Sequence, residues 1–227
     1  MRSVYRLNDI ENNLRIMRCR PLDILVVGGT GTGKSSTLNA MFETEISRVG
    51  RGCDPETMQI SSYKLNDKVR FWDTPGFGDG KEQDAGYAEQ LKQTLYREYE
   101  LDNTKYGMID VVLVIVDGSG RDMGTAYRIL NEVILPDFPP NRIITAINQA
   151  DMAMKGRHWN YEENRPDRIL AEFLEEKAGS IKKRVMESTG VRIADPVCYS
   201  AEKNYNIEKL LDLIIDNMPT ERRRITR

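Results

Sequence analysis

The glycine-rich stretch GGTGTGKS, residues 28–35, has the spacing G-x-x-x-x-G-K-S and lies between an apolar run and a helical pattern. Glycines let the backbone form a nest of N–H groups for phosphate oxygens, and the start of the next helix adds positive potential. In such a loop Lys34 reaches the β- and γ-phosphates, and the Ser35 hydroxyl ligates Mg²⁺. We therefore predict a nucleotide-binding loop whose residues are Gly28, Thr30, Gly31, Thr32, Gly33, Lys34, Ser35 and Ser36.

A second candidate site is Asp73-Thr74-Pro75-Gly76, which follows the apolar-rich run 68–72. A carboxylate at a strand end can hold Mg²⁺ through water, and the N–H of Gly76 can approach a γ-phosphate because glycine allows close backbone contact. The alternative is an ordinary Pro-Gly turn. We favour the first interpretation because the phosphate-binding pattern is in the same chain, and it makes Asp73 a metal residue together with Ser35.

A third motif, Asn148-Gln149-Ala150-Asp151, follows the apolar run 142–147. The carboxylate of Asp151 can accept the N1–H and N2–H groups of guanine, a pair of donors that adenine lacks. After the last apolar run, Ser200-Ala201 can place a backbone N–H against guanine O6. The alternative is a polar loop after a buried strand. We predict a guanine site formed by Asn148, Gln149, Asp151, Ser200 and Ala201.

These loops require strands that end at one edge of a sheet, and short apolar runs alternate with helical stretches in the way typical of the α/β class. Strands are predicted at 24–27, 59–65, 68–72, 111–116, 142–147 and 197–199. Only Asn66 and Asp67 separate the second strand from the third, which is too short for a parallel crossover. We expect a mainly parallel six-stranded sheet with one antiparallel edge strand.

Helices that would cover both faces of this sheet are predicted at 34–42, 85–100, 125–135, 166–189 and 207–217, with a weaker candidate at 4–17. This organisation gives an N-terminal helical extension at 1–21 and a nucleotide-binding domain at 22–218. A basic C-terminal tail at 219–227, which contains Arg222, Arg223, Arg224 and Arg227, is expected to be solvated.

Composition limits the class of protein. The 227 residues suit one compact domain, and 33 Lys and Arg against 35 Asp and Glu leave no global basic field for a generic polyanion binder. Cys19, Cys53 and Cys198 lie far apart without metal-ligand spacing, which favours a reducing compartment. The apolar runs are far below the roughly 20 residues of a membrane span, and the charged start lacks the core of a signal peptide. We expect a cytoplasmic protein without a nucleic-acid or membrane signature.

The motifs in this order resemble the guanine-nucleotide motifs of the TRAFAC-class GTPases over about residues 22–218. The resemblance implies a Ras-like P-loop domain that binds GTP or GDP with Mg²⁺ and hydrolyses GTP. The family's second motif is a single threonine, and Thr57 stands in its place, where it would ligate Mg²⁺ and sense the γ-phosphate alongside Lys34 and Gly76. The alternative for Thr57 is an ordinary loop residue. The family's fourth motif is usually Asn-Lys-x-Asp, whose lysine packs along the base and braces the P-loop, and Gln149 departs from it.

Within that class, the stretches TGTGKSSTLNAMF, DPETMQIS, WDTPGFGDGKE and NQADMAMKGRHW look like the bacterial YeeP/YfjP-type GTP-binding proteins of the Era-like branch. The form T-G-x-G-K-S-S is also similar to the P-loops of septin, chloroplast-import-receptor and immunity-associated GTPases, which pair across their nucleotide faces. The resemblance implies a guanine nucleotide as ligand and a homodimer across the nucleotide face as a candidate assembly. No motif identifies an effector protein.

Phe77 stands where Ras-like enzymes carry the glutamine that orients the attacking water, which a phenyl ring cannot do. Hydrolysis is therefore expected to be slow, unless a group elsewhere or on a second molecule supplies the contact. The favoured function is a nucleotide-controlled switch; the rivals are a GTP-dependent assembly protein and a P-loop kinase, which would need an arginine-rich lid. For His158 the alternatives are stacking on guanine, a dimer contact or a plain surface position.

Overall fold

A computed structural model describes residues 2–18, 21–43, 61–78, 81–120, 124–136 and 138–225. Thr57, Cys19 and Cys53 lie outside the described residues, as does the start of the predicted strand 59–65. The strands are β1 (Leu22–Gly28), β2 (Ser61–Lys64), β3 (Val69–Asp73), β4 (Glu98–Leu101), β5 (Thr104–Gly107), β6 (Val111–Asp117), β7 (Ile143–Asn148), β8 (Trp159–Asn160), β9 (Arg165–Pro166) and β10 (Val197–Cys198). The α-helices are α1 (Leu7–Met17), α2 (Lys34–Phe42), α3 (Lys81–Leu95), α4 (Gly124–Arg128, continued by a π-helical segment at Ile129–Ile134), α5 (Arg168–Thr189) and α6 (Ile207–Asp216).

The main sheet has the order β10-β7-β6-β1-β3-β2. Its neighbours pair in parallel except for the edge strand β2, which runs antiparallel to β3 and places Ser61 opposite Asp73. The bend between β2 and β3 is fixed by Asn66 Oδ1, which accepts the backbone N–H groups of Lys68 (2.8 Å) and Val69 (3.0 Å). The predicted six-stranded α/β sheet with one antiparallel edge strand is confirmed.

The central strand β1 is buried along its whole length, because helices cover both faces of the sheet. Ile24 and Val26 pack in one apolar cluster with α1, α2 and α6, whereas Leu25 and Val27 pack in a second cluster with α3, α4 and α5. This two-sided cover explains why the central strands are continuous apolar runs rather than alternating ones. Among the described residues, no helix is both long enough and apolar enough to cross a bilayer.

The carboxyl ends of β1, β3, β7 and β10 lead into the four sequence motifs. Parallel strands end at the same edge of a sheet, and ligands of open α/β sheets bind outside that edge. The fold therefore collects the predicted phosphate, metal and base residues on one side of the molecule.

The helix predicted at 85–100 is partly wrong, because α3 ends at Leu95 and the chain continues into the hairpin of β4 and β5. Asp102 and Asn103 form its two-residue turn with φ values of 50° and 58°, and these residue types tolerate that left-handed conformation. The rings of Tyr99 and Tyr106 meet across the pair at 5.8 Å. The cross-strand contacts stabilise a hairpin where the local pattern predicted helix.

The C-terminal tail is not wholly solvated as the sequence predicted, since Arg223 is only 6% exposed. Its guanidinium donates to Leu95 O (2.6 Å) and Ile109 O (3.0 Å) and lies 4.9 Å from the ring centroid of Phe138. Gly107 N also donates to Arg223 O at 2.8 Å, so the segment continues the small sheet at β5. Arg223 therefore anchors the tail to the end of α3 and to the segment before β6.

Replacement of Arg223 by alanine is expected to lower the free energy of unfolding by about 2–4 kcal/mol, because two buried carbonyl oxygens lose their charged donor and a cation–π contact is lost. Arg224→Ala is the matched control, since Arg224 is its exposed neighbour. Guanidinium chloride titrations of the three proteins measure the difference. Coincident unfolding curves for native protein and Arg223→Ala would contradict the anchoring role.

Candidate nucleotide-binding site

The loop between β1 and α2 passes twice through left-handed backbone, at Gly31 (φ 77°) and Gly33 (φ 82°). A methyl group on Gly33 would also lie 2.2 Å from Asn148 Nδ2, so this position needs glycine for both reasons. Lys34 starts α2, and its ammonium group donates to Gly28 O (3.2 Å) and Gly29 O (3.1 Å). The charge of Lys34 is thereby held against the loop, as the predicted phosphate contact requires.

Beside this loop lies a cavity of about 360 Å³, bounded by the P-loop, the start of β2 and the segment after β3. Its lining residues are Thr30, Gly31, Lys34, Ser35, Ser61, Asp73, Thr74, Pro75 and Gly76. The structure thus brings together two of the predicted motifs around one space.

Asp73 is one of the residues that line this cavity. Ser35 Oγ donates to Asp73 Oδ2 at 3.3 Å, while Asp73 Oδ1 is buried and has no hydrogen-bond partner among the described residues. Burial raises the pKa of Asp73, and the nearby charge of Lys34 opposes that shift. A buried carboxylate oxygen that still needs a partner, next to a hydroxyl, is the hard oxygen donor set that Mg²⁺ prefers. Ser35 and Asp73 therefore fit the predicted metal, and Thr57 lies outside the described residues.

The segment after Asp73 is hydrogen-bonded directly to the P-loop. Thr30 N donates to Phe77 O at 2.6 Å, and Phe77 N donates to Gly28 O at 3.3 Å. A methyl group on Gly76 would lie 2.7 Å from Thr30 Cα, which shows that only glycine permits this approach. The position of the Gly76 backbone is thus set by the P-loop itself.

The ring of Phe77 is buried in the core and meets Tyr87 edge to face, with centroids 6.2 Å apart. It is a packing residue and provides no group that could orient a water molecule. The sequence expectation that residue 77 does not supply this catalytic contact agrees with its place in the structure.

A second cavity of about 390 Å³ lies beyond the P-loop, at the ends of β7 and β10. Its lining residues are Gly33, Ser36, Asn148, Gln149, Asp151, Met152, Tyr161, Ser200, Ala201, Glu202 and Lys203. All five residues predicted to surround guanine are therefore assembled around one space.

Asp151 is the chemically distinctive residue of this second cavity. It is buried, and its Oδ1 atom has no hydrogen-bond partner in the described part of the chain. Burying a carboxylate oxygen without a partner costs free energy unless a ligand supplies donors. Guanine offers two adjacent N–H groups of the kind that such an acceptor requires.

Asn148 and Gln149 connect this second cavity to the P-loop; we call it the base cavity because the residues predicted to bind guanine line it. Asn148 Nδ2 donates to Thr32 O at 2.9 Å, and its Oδ1 accepts from Ala201 N at 3.0 Å. Gln149 Nε2 donates to Gly31 O at 2.7 Å. The amide of Gln149 thus braces the P-loop at a position where the family usually has lysine.

The loop after β10 is held by its own hydrogen bonds. Ser200 N donates to Tyr205 O (3.1 Å), Lys203 N donates to Ser200 Oγ (3.0 Å), and Ala201 N is engaged by Asn148. A contact from the Ser200-Ala201 backbone to guanine O6 stays a prediction.

His158 does not line the base cavity. Its Nδ1 lies 2.7 Å from Asp167 Oδ2, at the start of α5, which corresponds to the plain surface position among its alternatives. Tyr161, three residues further on, lines the cavity instead and is 69% exposed. Sequence reasoning missed Tyr161; the only local signal is an aromatic residue within a polar stretch.

Among proteins with this type of sheet, a G-x-x-x-x-G-K-S loop after the first strand together with Asn-x-x-Asp at a later strand end is characteristic of P-loop GTPases of the TRAFAC class. Residues 23–149 match the family model described as the 50S ribosome-binding GTPases. This match covers more than half of the 227 residues. The chain therefore belongs to this family and contains a GTPase G domain.

The curated relatives include translation initiation factor IF-2 of Desulfitobacterium hafniense, which is 28% identical over 212 residues, 92% of this chain and 18% of that protein. The uncharacterized protein YkfA of Escherichia coli is 28% identical over 130 residues, 56% of this chain and 41% of that protein. This chain thus spans less than half the length of these two relatives.

Solved structures with a similar fold include Toc33 from Arabidopsis thaliana in complex with GDP and Mg²⁺, with a TM-score of 0.64 at 15% identity. That match covers 98% of this chain and 94% of Toc33. Aquifex aeolicus Era bound to GDP and tetrafluoroaluminate gives a TM-score of 0.52 at 20% identity over 88% of this chain and 58% of Era. At these identities the similarity supports the fold alone.

Proposed function

We propose that this chain binds GTP and GDP with Mg²⁺, hydrolyses GTP slowly and acts as a nucleotide-controlled switch in the cytoplasm. The observation that carries the proposal is the buried, unpartnered Oδ1 of Asp151 in a cavity adjoining the P-loop. Within the family, the quoted sequence stretches favour the Era-like branch and the YeeP/YfjP type.

In this proposal the P-loop N–H groups and Lys34 bind the phosphates, and Ser35 and Asp73 hold Mg²⁺ with Thr57 as a further ligand. The metal ion supplies charge neutralisation on the phosphate oxygens. Asn148 and Gln149 position the P-loop relative to the base cavity, as their hydrogen bonds to Thr32 O and Gly31 O indicate. Phosphate and base would therefore be bound by one connected unit.

The switching element would be the segment around Gly76, which is the proposed sensor of the γ-phosphate. Two backbone hydrogen bonds join Phe77 to the P-loop, at Thr30 and Gly28. Because these bonds lie next to the Gly76 N–H, a change at the γ-phosphate position would alter the pairing of the whole segment. GTP and GDP would thus stabilise different arrangements of residues that lead into α3.

A second candidate is a homodimer across the nucleotide face, as in an assembly protein. Toc33 has a similar fold over nearly the whole chain, and a dimerisation-deficient variant of Toc33 is among the solved structures. In this chain the base cavity is bordered by exposed apolar side chains, Met152 (50% exposed) and Tyr161 (69% exposed). A surface of that kind beside the nucleotide is compatible with a second copy as partner.

Asp151→Asn is expected to change base specificity. The substitution replaces a two-oxygen acceptor by a mixed donor and acceptor, so GDP affinity should fall by about tenfold or more while xanthosine diphosphate gains affinity. Competition of the guanosine, adenosine and xanthosine nucleotides against bound GDP measures the switch. Asp67→Asn, at an exposed aspartate in the β2–β3 bend, is the control. If ATP competes as well as GTP for the native protein, the guanine assignment fails.

A further inference from the structure

We infer that Tyr161 is the stacking surface for the guanine ring and a determinant of nucleotide affinity, an inference that rests on the proposed function. Tyr161 lies in the turn between β8 and β9 and lines the same cavity as Asp151. Tyr161 is 69% exposed, so its ring gains little from burial in the protein itself. An exposed aromatic residue in the lining of a ligand cavity can stack on a flat ligand.

The turn that carries Tyr161 is held against another part of the cavity lining, the loop 200–206. Asn164 Nδ2 donates to Lys203 O at 2.8 Å, and Trp159 meets Tyr205 edge to face at a centroid distance of 5.2 Å. Within the turn, Asn160 Oδ1 accepts two backbone N–H groups, from Glu162 and Glu163, each at 3.0 Å. These contacts fix the turn before any ligand binds, which reduces the entropic cost of using Tyr161 for binding.

The ring of Tyr161 also makes a cation–π contact. Lys203 Nζ lies 5.6 Å from the ring centroid, within the range of a cation–π contact, and both residues line the cavity. The exposed ring thus has a defined neighbour on the loop that also contains Ser200 and Ala201.

Within this cavity we assign the contact with the face of the purine ring to Tyr161. Asp151 offers an acceptor for the polar edge of guanine, and the amide of Gln149 is engaged by Gly31 O. His158, the other ring in this stretch considered for stacking, is bonded to Asp167. Tyr161 is the one aromatic residue among the described residues that line the cavity.

Tyr161→Ala is expected to weaken GDP binding by about tenfold or more, which is the scale of stacking one base on one aromatic ring. Tyr161→Phe keeps the ring and should bind GDP within about twofold of native protein. Because stacking uses the ring system and not the exocyclic 2-amino group, Tyr161→Ala should lose the same factor for GDP and for inosine diphosphate.

Isothermal titration calorimetry with unlabelled GDP and inosine diphosphate tests this on the native chain, Tyr161→Ala, Tyr161→Phe and the control Tyr99→Ala. Tyr99 is a surface tyrosine on β4, outside both cavities, and its removal should leave both affinities unchanged. Thermal melts confirm that each variant is folded, as expected for an exposed position.

Each outcome decides a separate point. If native protein binds GDP and Tyr161→Ala binds it equally well, the stacking role is overturned and the proposed function stands. Equal losses in Tyr161→Phe and Tyr161→Ala, or unequal losses for the two nucleotides, would also overturn it, because the ring face would not be the contact. If native protein binds neither nucleotide, the proposed function fails and this inference fails with it.

Discussion

Lys34→Ala is expected to weaken GDP binding by about 100-fold or more. Hydrogen bonds to charged groups contribute about 1.5–3 kcal/mol each, and an ammonium group that reaches the phosphates makes more than one. The structure holds this group against the carbonyl oxygens of Gly28 and Gly29, within the loop that is proposed to bind the phosphates. Gly28 O and Gly29 O also accept the backbone N–H groups of Phe77 and Thr32, so the loss should appear mainly in nucleotide affinity.

Calorimetric titration of GDP into native and Lys34→Ala protein measures this effect. Lys183→Ala serves as the control, because Lys183 lies on α5 with a side chain that is 78% exposed. Unfolding curves of the native protein and of Lys183→Ala should agree within about 0.5 kcal/mol, as for a substitution at the surface. The unfolding curve of Lys34→Ala establishes that this variant is folded when its affinity is measured. Undiminished GDP affinity in Lys34→Ala would refute the P-loop assignment.

The second large effect concerns GTP hydrolysis. We expect the number of turnovers per protein molecule to rise as the protein concentration increases. Phe77 is buried and cannot orient water, so an isolated subunit lacks a group that related GTPases use. An arginine supplied in trans is worth roughly 10³–10⁵ in rate in such enzymes. Closed two-fold dimers are the commonest assemblies, which makes a second copy the first partner to test.

Initial rates of GTP hydrolysis over a wide dilution series, with light scattering at each concentration, show whether the partner is a second copy of this chain or a different protein. Turnover that rises together with dimer formation supports a second copy as the partner. Low, constant turnover indicates that a different protein is required. Lys34→Ala should be inactive throughout and corrects for contaminating phosphatases. Fast turnover by a strict monomer would contradict the account of Phe77 and mean that a group in this chain replaces the missing glutamine.

Local patterns were sufficient to predict the elements that carry the site. Helix α2 was predicted with its observed bounds, Lys34–Phe42. In the structure Gly33 has left-handed backbone, and the helix begins at the next residue. The strands β1, β6 and β7 are almost wholly buried and were visible as apolar runs. The motifs at their ends then follow from the rule that ligands bind at the carboxyl edge of a parallel sheet.

Features that depend on distant contacts were not predictable in this way. The hairpin of β4 and β5 follows α3 without a glycine or proline to separate them, and its turn is formed by Asp102-Asn103. Arg223 is buried because Leu95 and Ile109 offer carbonyl oxygens from elsewhere in the chain. Such pairings leave no periodic trace in the sequence around either partner.

The residues of the base cavity also differ in how far a local pattern predicts their place. Asp151 was predictable, since its motif follows a buried strand, whereas the role of Gln149 required the distance from its amide to Gly31 O. The place of Tyr161 depends on contacts between the β8–β9 turn and the loop 200–206. Because those segments are about 40 residues apart, a single local pattern does not reveal their contact.

The central claim is that Asp151 and its surroundings select guanine. Calorimetric titration of the native protein with GDP and with ATP, both in the presence of Mg²⁺, tests it most directly. A site built to satisfy a buried polar group rejects a ligand without the matching group by about 10⁴-fold, so GDP should bind with one-to-one stoichiometry and ATP should give no measurable heat in the same range. Binding of ATP within about tenfold of GDP, a difference of only about 1.4 kcal/mol, would contradict the account.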